Sequence, residues 1–282
     1  MGEFITGDAT TKRPGLANLH APGGAPVTRS HPPREGLDAT DHAAMHPGIW
    51  IAFGDVSGHD FWRNKASMEH AGFDDEPRIS ADGVRFTARA MLRTAEGTTL
   101  GAIGNRIAIV DRPVGRVVVW LATITAGEDP LLLGDQEEMG FGVRLATGLE
   151  EKAGGRIVNA DGAETAKGTW GRAAAWCDAT GNAPGLPGTA GVTVVASPLN
   201  VRPSWWHNRD YGLLVANPFG RKALTGGEPS SVRVDPGESL ALGFAAVLHA
   251  EPAGGRPHDP AAAAAAAIDL LRAEAAGGAA AE

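Results

Sequence analysis

His42 and His46 stand four residues apart in DHAAMHPGIWIAFGDVSGHDFWRN, the stretch from Asp41 to Asn64. It gathers three histidines, three aspartates, two tryptophans and two phenylalanines into 24 residues. Imidazoles and carboxylates cost free energy to bury unless partners meet them, and a solvent loop has no use for the rings. Mixed content of this kind typically lines a concave site. A second concentration, RPSWWHNRDYGLLVANPFG from Arg202 to Gly220, again joins tryptophan (Trp205, Trp206), His207 and Asp210, with Tyr211 beside them. Two distant segments of such similar content are expected to form opposite walls of one pocket.

Acid/base chemistry needs a third ingredient, supplied by LLLGDQEEMGFGVRLA, in which Asp135 to Glu138 interrupt an apolar, glycine-spaced run. As a strand, this segment turns Asp135 and Glu137 to one side and Gln136 and Glu138 to the other, so that one pair points into a cleft. Neighbouring carboxylates there suit general acid/base work, because repulsion and burial push their proton affinities apart. A solvated acidic turn is the competing reading.

The HxxxH spacing of His42 and His46 is no metalloprotease signature, since Pro47 and Gly48 follow at once and the glutamate is missing. With Glu138 or His207, these imidazoles could still hold a divalent ion, which keeps a metal-dependent enzyme open. Acid/base roles and hydrogen bonds to a polyol are favoured over it. No GxSxG occurs, Cys177 adjoins Trp176 with no histidine nearby, and no phosphate-binding glycine loop is present, so a nucleophilic triad and a nucleotide site both lack support. What remains is rings beside carboxylates and imidazoles. That set suits a sugar, whose C–H faces pack on indoles while its hydroxyls pair with Asp, His and Arg. His42, Glu138 and His207 are the acid/base candidates. Asp55, Asp60, Asp210 and Arg29 would orient hydroxyls, His46 would bind alongside them, and Trp62 and Trp206 would stack on the ring.

These groups must be positioned by strands. Val84, Phe86, Ala88 and Ala90 alternate with Arg85, Thr87 and Arg89, the period of a half-buried strand. The run Val117 to Ile124 is β-branched and nearly continuous, which places it centrally. With AIGNRIAIV between them, these read as consecutive antiparallel strands. SSVRVDPGE and SLALGFAAVLHA read as a turn-linked pair around Asp235 to Glu238. DPAAAAAAAIDLLRAEAA opens with Asp then Pro, a start signal for one terminal helix over 259–276, closed by Gly277 and Gly278. Residues 13–250 make a single domain, and residues 1–12 are taken as disordered or left over from expression.

Composition sets the outer bounds. The chain has 282 residues, 43% hydrophobic and 21% charged, enough for a sizeable core. A net charge of -8 without a basic cluster argues against a nucleic-acid partner. No run is long enough for a membrane span, so the expected partner is a small carbohydrate, with no cofactor required and a homo-oligomer left open. The start lacks a signal-peptide pattern, which favours the cytoplasm unless a leader was removed.

The segments PVTRSHPP, DH…H…GIWIAFGDVSGHDFW, GDQEEMGFGVR, WGRAAAWCD and PSWWHNRDYGLLVANPFG together resemble the soluble bacterial domain family labelled "methane oxygenase PmoA". Despite that label, membrane methane monooxygenase subunits need transmembrane helices that this chain lacks. The resemblance implies an antiparallel β-sandwich in the style of sugar-binding mutarotases, met among sugar-catabolic functions. It also marks Arg29, His42, His46, Trp50, Asp55, Asp60, Trp62, Glu138, Arg144, Trp206, His207 and Asp210. The expectation is therefore an enzyme that hydrolyses, eliminates or epimerises a sugar or glycoside in the concave face of a sandwich. A non-catalytic carbohydrate-binding or accessory subunit is the alternative.

Overall fold

The computed structural model describes residues 2–279. In chain order the strands are β1 (Glu3–Ile5), β2 (Gly15–Ala17), β3 (Ile49–Phe53), β4 (Ser67–Phe73), β5 (Arg78–Ser80), β6 (Gly83–Arg93), β7 (Thr99–Arg112), β8 (Gly115–Ala126), β9 (Leu131–Leu133), β10 (Met139–Arg144), β11 (Arg156–Asn159), β12 (Trp176–Asn182), β13 (Gly188–Ala196), β14 (Trp205–Trp206), β15 (Leu213–Asn217), β16 (Val232–Val234) and β17 (Ser239–Pro252). Helices α1 (Ala166–Thr169) and α2 (Arg221–Thr225) are single turns, and α3 (Pro260–Ala279) closes the chain.

A smaller sheet runs β1-β2-β3-β10-β15-β14, and a larger one runs β11-β12-β13-β17-β8-β7-β6-β4, with β5 on β6. Neighbours pair antiparallel, and the long β6, β7 and β8 follow one another as the sequence alternation predicts. The two sheets face each other as a sandwich. Phe141 of the smaller sheet stacks on Phe244 of the larger at 5.2 Å and 9°, and Trp120 meets Phe141 edge-on at 6.1 Å. Burial of such rings dominates the energetics of the interface.

The opposite surface of the larger sheet is also apolar and is covered by α3. Ala263, Ala264, Ala267 and Leu271 lie against Val117, Val119, Val195, Ala245 and Val247. The small alanine face lets a helix approach a sheet closely, which is why this alanine run packs rather than extending into solvent. Among the described residues no helix is long and apolar enough to cross a membrane.

Three expectations change. Residues 3–5 form an edge strand on β2 rather than a disordered start. β16 does not pair with β17: it pairs with β9, while β17 pairs with β8 from Ser239 and with β13 from Phe244. The helix runs on to Ala279 through the two glycines expected to end it.

Candidate functional site

Residues opposite one another in adjacent antiparallel strands point to the same face, so the register sorts the smaller sheet. Ile51, Phe141 and Ala216 point into the sandwich; Trp50, Gly142 and Arg144 therefore point out of it. The candidate residues gather on that outward face of the smaller sheet, beneath the segment that carries His42 and His46, rather than in a concavity between the sheets. Gly142 lies directly under Trp50, where a Cβ would sit 2.6 Å from the indole. Only glycine leaves room for that ring.

On this floor the rings form a ladder. Tyr211 stacks on His42 at 5.6 Å and 17°, His42 on His46 at 5.0 Å, and His46 on Trp50 at 5.0 Å and 14°, with Trp62 edge-on to Trp50 at 5.3 Å. The Arg144 guanidinium lies over the Tyr211 ring at 4.7 Å, a cation–π contact. His46 is 1% exposed with neither ring nitrogen hydrogen-bonded, and the indole N–H groups of Trp50 and Trp62 are likewise unpaired. Burial, with Arg144 next in importance, holds His46 well below the usual imidazole range, so it is neutral. A neutral ring is the form that stacks between His42 and Trp50 without an imidazolium desolvation cost.

The segment over this floor is held by two arginines. Arg144 donates two hydrogen bonds to Asp41, at 2.8 and 2.9 Å. Arg29, fully buried at its side chain, donates to the carbonyls of Ala39, Asp41, His42 and His46. The backbone at His42 is thereby fixed in the left-handed region, at φ 51°, a conformation costly for a residue with a Cβ. Burial on its own would raise Asp41; the Arg144 and His42 hydrogen bonds override it and keep the carboxyl below the ordinary carboxylate range. Its partner His42 Nδ1 lies 2.9 Å away, which fixes the ring and leaves the other nitrogen directed elsewhere.

Like Glu150 beside Arg144, Glu138 leans towards holding a proton. Burial raises it, with Arg63 pulling the other way and Asp60 and Glu137 adding to the rise. It pairs with Arg63, which also binds Asp60 at 3.2 Å, and it lies within range of the His42 charge. The side chains of His42 and Glu138 remain 41% and 20% exposed, so both can meet solvent or a ligand. His207 sits behind them at 2% exposure, 3.6 Å from Glu137 through Nδ1. Burial first, then Arg209 and Arg63, push His207 down to about 3. Its contact with Glu137 is therefore that of a neutral imidazole, not an ion pair.

The structure thus brings His42, His46, Trp62, Glu138, Arg144 and Tyr211 together, with His207 in a layer behind. Other expected ligand groups are engaged otherwise. Trp62 and Trp206 are both fully buried, Trp62 against Trp50 and Trp206 with its indole N–H donated to the Ala174 carbonyl at 3.0 Å, so neither ring offers a face to a sugar. Arg29 grips backbone rather than hydroxyls. Asp60 accepts the N–H groups of Trp62 and Arg63, and Asp55 accepts that of Gly58, both as turn caps. Asp210 is exposed beside Lys152 at 3.5 Å. The acidic run is not a strand: Asp135 leaves it to cap the start of α2, accepting from Lys222, Ala223 and Ser230. An open cleft of about 560 Å³ lies elsewhere, between residues 6–9 and β4, and holds none of these side chains.

The sequence pattern did not single out a second constellation, on the outward face of the larger sheet. Asp178 of β12, His249 and Glu251 of β17, and His258 just before α3 converge there with side chains 2% to 14% exposed. Their separation along the chain hides them; the sole local hint is that His249 and Glu251, two apart in a strand, share a face.

Fold and site together define an antiparallel β-sandwich with stacked rings and ionisable side chains gathered on an outer face of the smaller sheet. A family model described as a family of unknown function, DUF6807, matches residues 3–266, and the chain belongs to that family. Among solved structures, the galactose mutarotase related enzyme of Lactobacillus acidophilus is similar at 10% identity and TM-score 0.40, over 88% of this chain and 97% of that one. A protein of a Synechocystis species is similar at 12% identity and TM-score 0.37, over 89% and 96%. No curated protein matches the chain.

Proposed function

We propose that this protein is a carbohydrate-active enzyme that hydrolyses, eliminates or epimerises a sugar or glycoside at the His42–Glu138 face of the smaller sheet. The observation that carries the proposal is that Glu138, disposed by burial to keep its proton, lies within electrostatic reach of His42 where both side chains are accessible. Burial disposes Glu138 to keep its proton, as a general acid must near neutral pH. His42, more open and braced by Asp41 at Nδ1, takes the part of the base. Asp41 fixes that ring's tautomer and stabilises the imidazolium that forms, in the manner of a base-orienting carboxylate.

Around this pair stand Arg63, Glu137, Arg209, Tyr211 and Lys152, a rim of donors and acceptors that suits a polyol. His207, too buried to touch a substrate, serves as a positioning residue for Glu137. The resemblance to sandwich domains met among sugar-catabolic functions points the same way. Calorimetric titration with a panel of mono- and oligosaccharides, with product analysis of the same samples, tests the proposal. Binding with conversion of at least one sugar supports it; binding without conversion makes the protein a carbohydrate-binding module instead.

A further inference from the structure

We propose that Asp178, His249 and His258 form a binding site for one divalent transition-metal ion of the Zn²⁺ type, joining the N-terminal end of α3 to the larger sheet. The three side chains come from β12, β17 and the segment entering α3, and one ligand atom of each lies within 4.8 Å of the others. Asp178 Oδ1 is 3.3 Å from His249 Nε2 and 3.8 Å from His258 Nε2. The edge of a tetrahedron of ligands around Zn²⁺ is about 3.3–3.5 Å, so these separations are near those that coordination needs. Two imidazoles and one carboxylate select a transition metal over Mg²⁺ or Ca²⁺, which prefer all-oxygen cages.

The surroundings are those of a ligand set, not of isolated histidines. Glu251 Oε1 stands 3.0 Å from His249 Nδ1 and 3.8 Å from His258 Nδ1, so one carboxylate orients both rings with Nε2 towards Asp178. A carboxylate on the far nitrogen of a ligating histidine is the usual outer support of such sites. Thr193 and Thr180 in turn hold Asp178 at 2.7 and 2.8 Å; His249 Nε2 has no hydrogen-bond partner of good geometry despite its burial, and His258 Nε2 meets Thr193 Oγ1 at 2.8 Å, a contact that an ion would replace. Gly191 leaves the space for His249, since a Cβ there would lie 2.7 Å from Nε2. Asp178 and Glu251 thus set two carboxylates against the two rings, surroundings that suit a divalent cation.

The rings lie parallel, 3.5 Å apart at 1°. An ion shared between their Nε2 atoms enters both ring planes only if one ring tilts. His258 is the one placed to do so, because it stands in the connection between β17 and α3 while His249 is wedged on a central strand.

The full chain, stripped with a chelator and titrated with Zn²⁺ by calorimetry and elemental analysis, tests this. One equivalent is expected, with an affinity at least tenfold weaker in His258→Gln and in Asp178→Asn but unchanged in His42→Ala. Melting of each stripped variant at the wild-type temperature shows that the fold is intact; should Asp178→Asn fail this check, His258→Gln decides alone. Substoichiometric uptake, uptake unaffected by His258→Gln, or loss only in His42→Ala overturns the proposal.

Discussion

Asp41 and Arg144 meet through two hydrogen bonds, 2.8 and 2.9 Å, although 103 positions separate them in the chain. Arg144 is fully buried on β10, whereas the Asp41 side chain is 38% exposed at the edge of the segment that carries His42. This one pair fixes the upper wall of the site to its floor. Arg144→Met leaves Asp41 without its bidentate partner and Tyr211 without the nearer of its two cations. The expected loss is about 2–4 kcal/mol, the lower part of the range for a broken buried pair because Asp41 is screened by solvent. Urea denaturation measures it; a loss under about 0.5 kcal/mol would show that Arg29 anchors the segment alone.

Acidification should weaken the fold through the two buried neutral imidazoles, His46 and His207. Both have folded-state proton affinities depressed below the unfolded value, His207 to about 3. As pH falls below about 6.5 the unfolded chain takes up these protons and the folded chain does not, so stability drops by up to about 1.4 kcal/mol per pH unit for each group. Between pH 6.5 and 4, His207→Gln should flatten the decline in chemical-denaturation free energy. An identical slope in the variant would place the proton uptake elsewhere.

Glu138 predicts a trend of the opposite sign. Its folded-state proton affinity is raised, so its contribution is fully present below about pH 4.3 and is lost as pH rises through the higher folded value. Relative to the wild type, Glu138→Gln should gain stability between pH 4 and 8. Differential scanning calorimetry across that range follows the trend, and a relative loss would mean that the Arg63 pairing outweighs the desolvation.

The Trp50 ring rests on Gly142, and a methyl group has no space there. Gly142→Ala should cost about 1–3 kcal/mol, by displacing the indole and with it the His46 and His42 rings stacked above. A drop in Tm accompanied by a change in near-ultraviolet circular dichroism is the expected signature.

The antiparallel sandwich was legible because period-two alternation in Val84 to Ala90 and the β-branched run from Val117 are direct consequences of strands with one or two buried faces. Asp41 to Asn64 stood out because rings and ionisable groups mixed at that density require partners from elsewhere, which Arg29 and Arg144 supply to Asp41. Residue type alone could not tell which tryptophans are open: Trp62 and Trp206 both read in sequence as stacking faces, yet both are fully buried, Trp206 with its N–H on Ala174. Nor could it show that Arg29 would be consumed by four backbone carbonyls. The Asp178, His249 and His258 cluster depends on the pairing of β12, β13 and β17, a register that no local pattern announces.

The most direct test of the proposed proton-transfer site is the steady-state turnover of wild type, His42→Ala and Glu138→Gln on a sugar that the wild type converts. Both variants should lose about 10²–10⁴-fold in kcat while binding the same sugar within a few-fold of wild type. Turnover in both variants within a factor of two of wild type would contradict it.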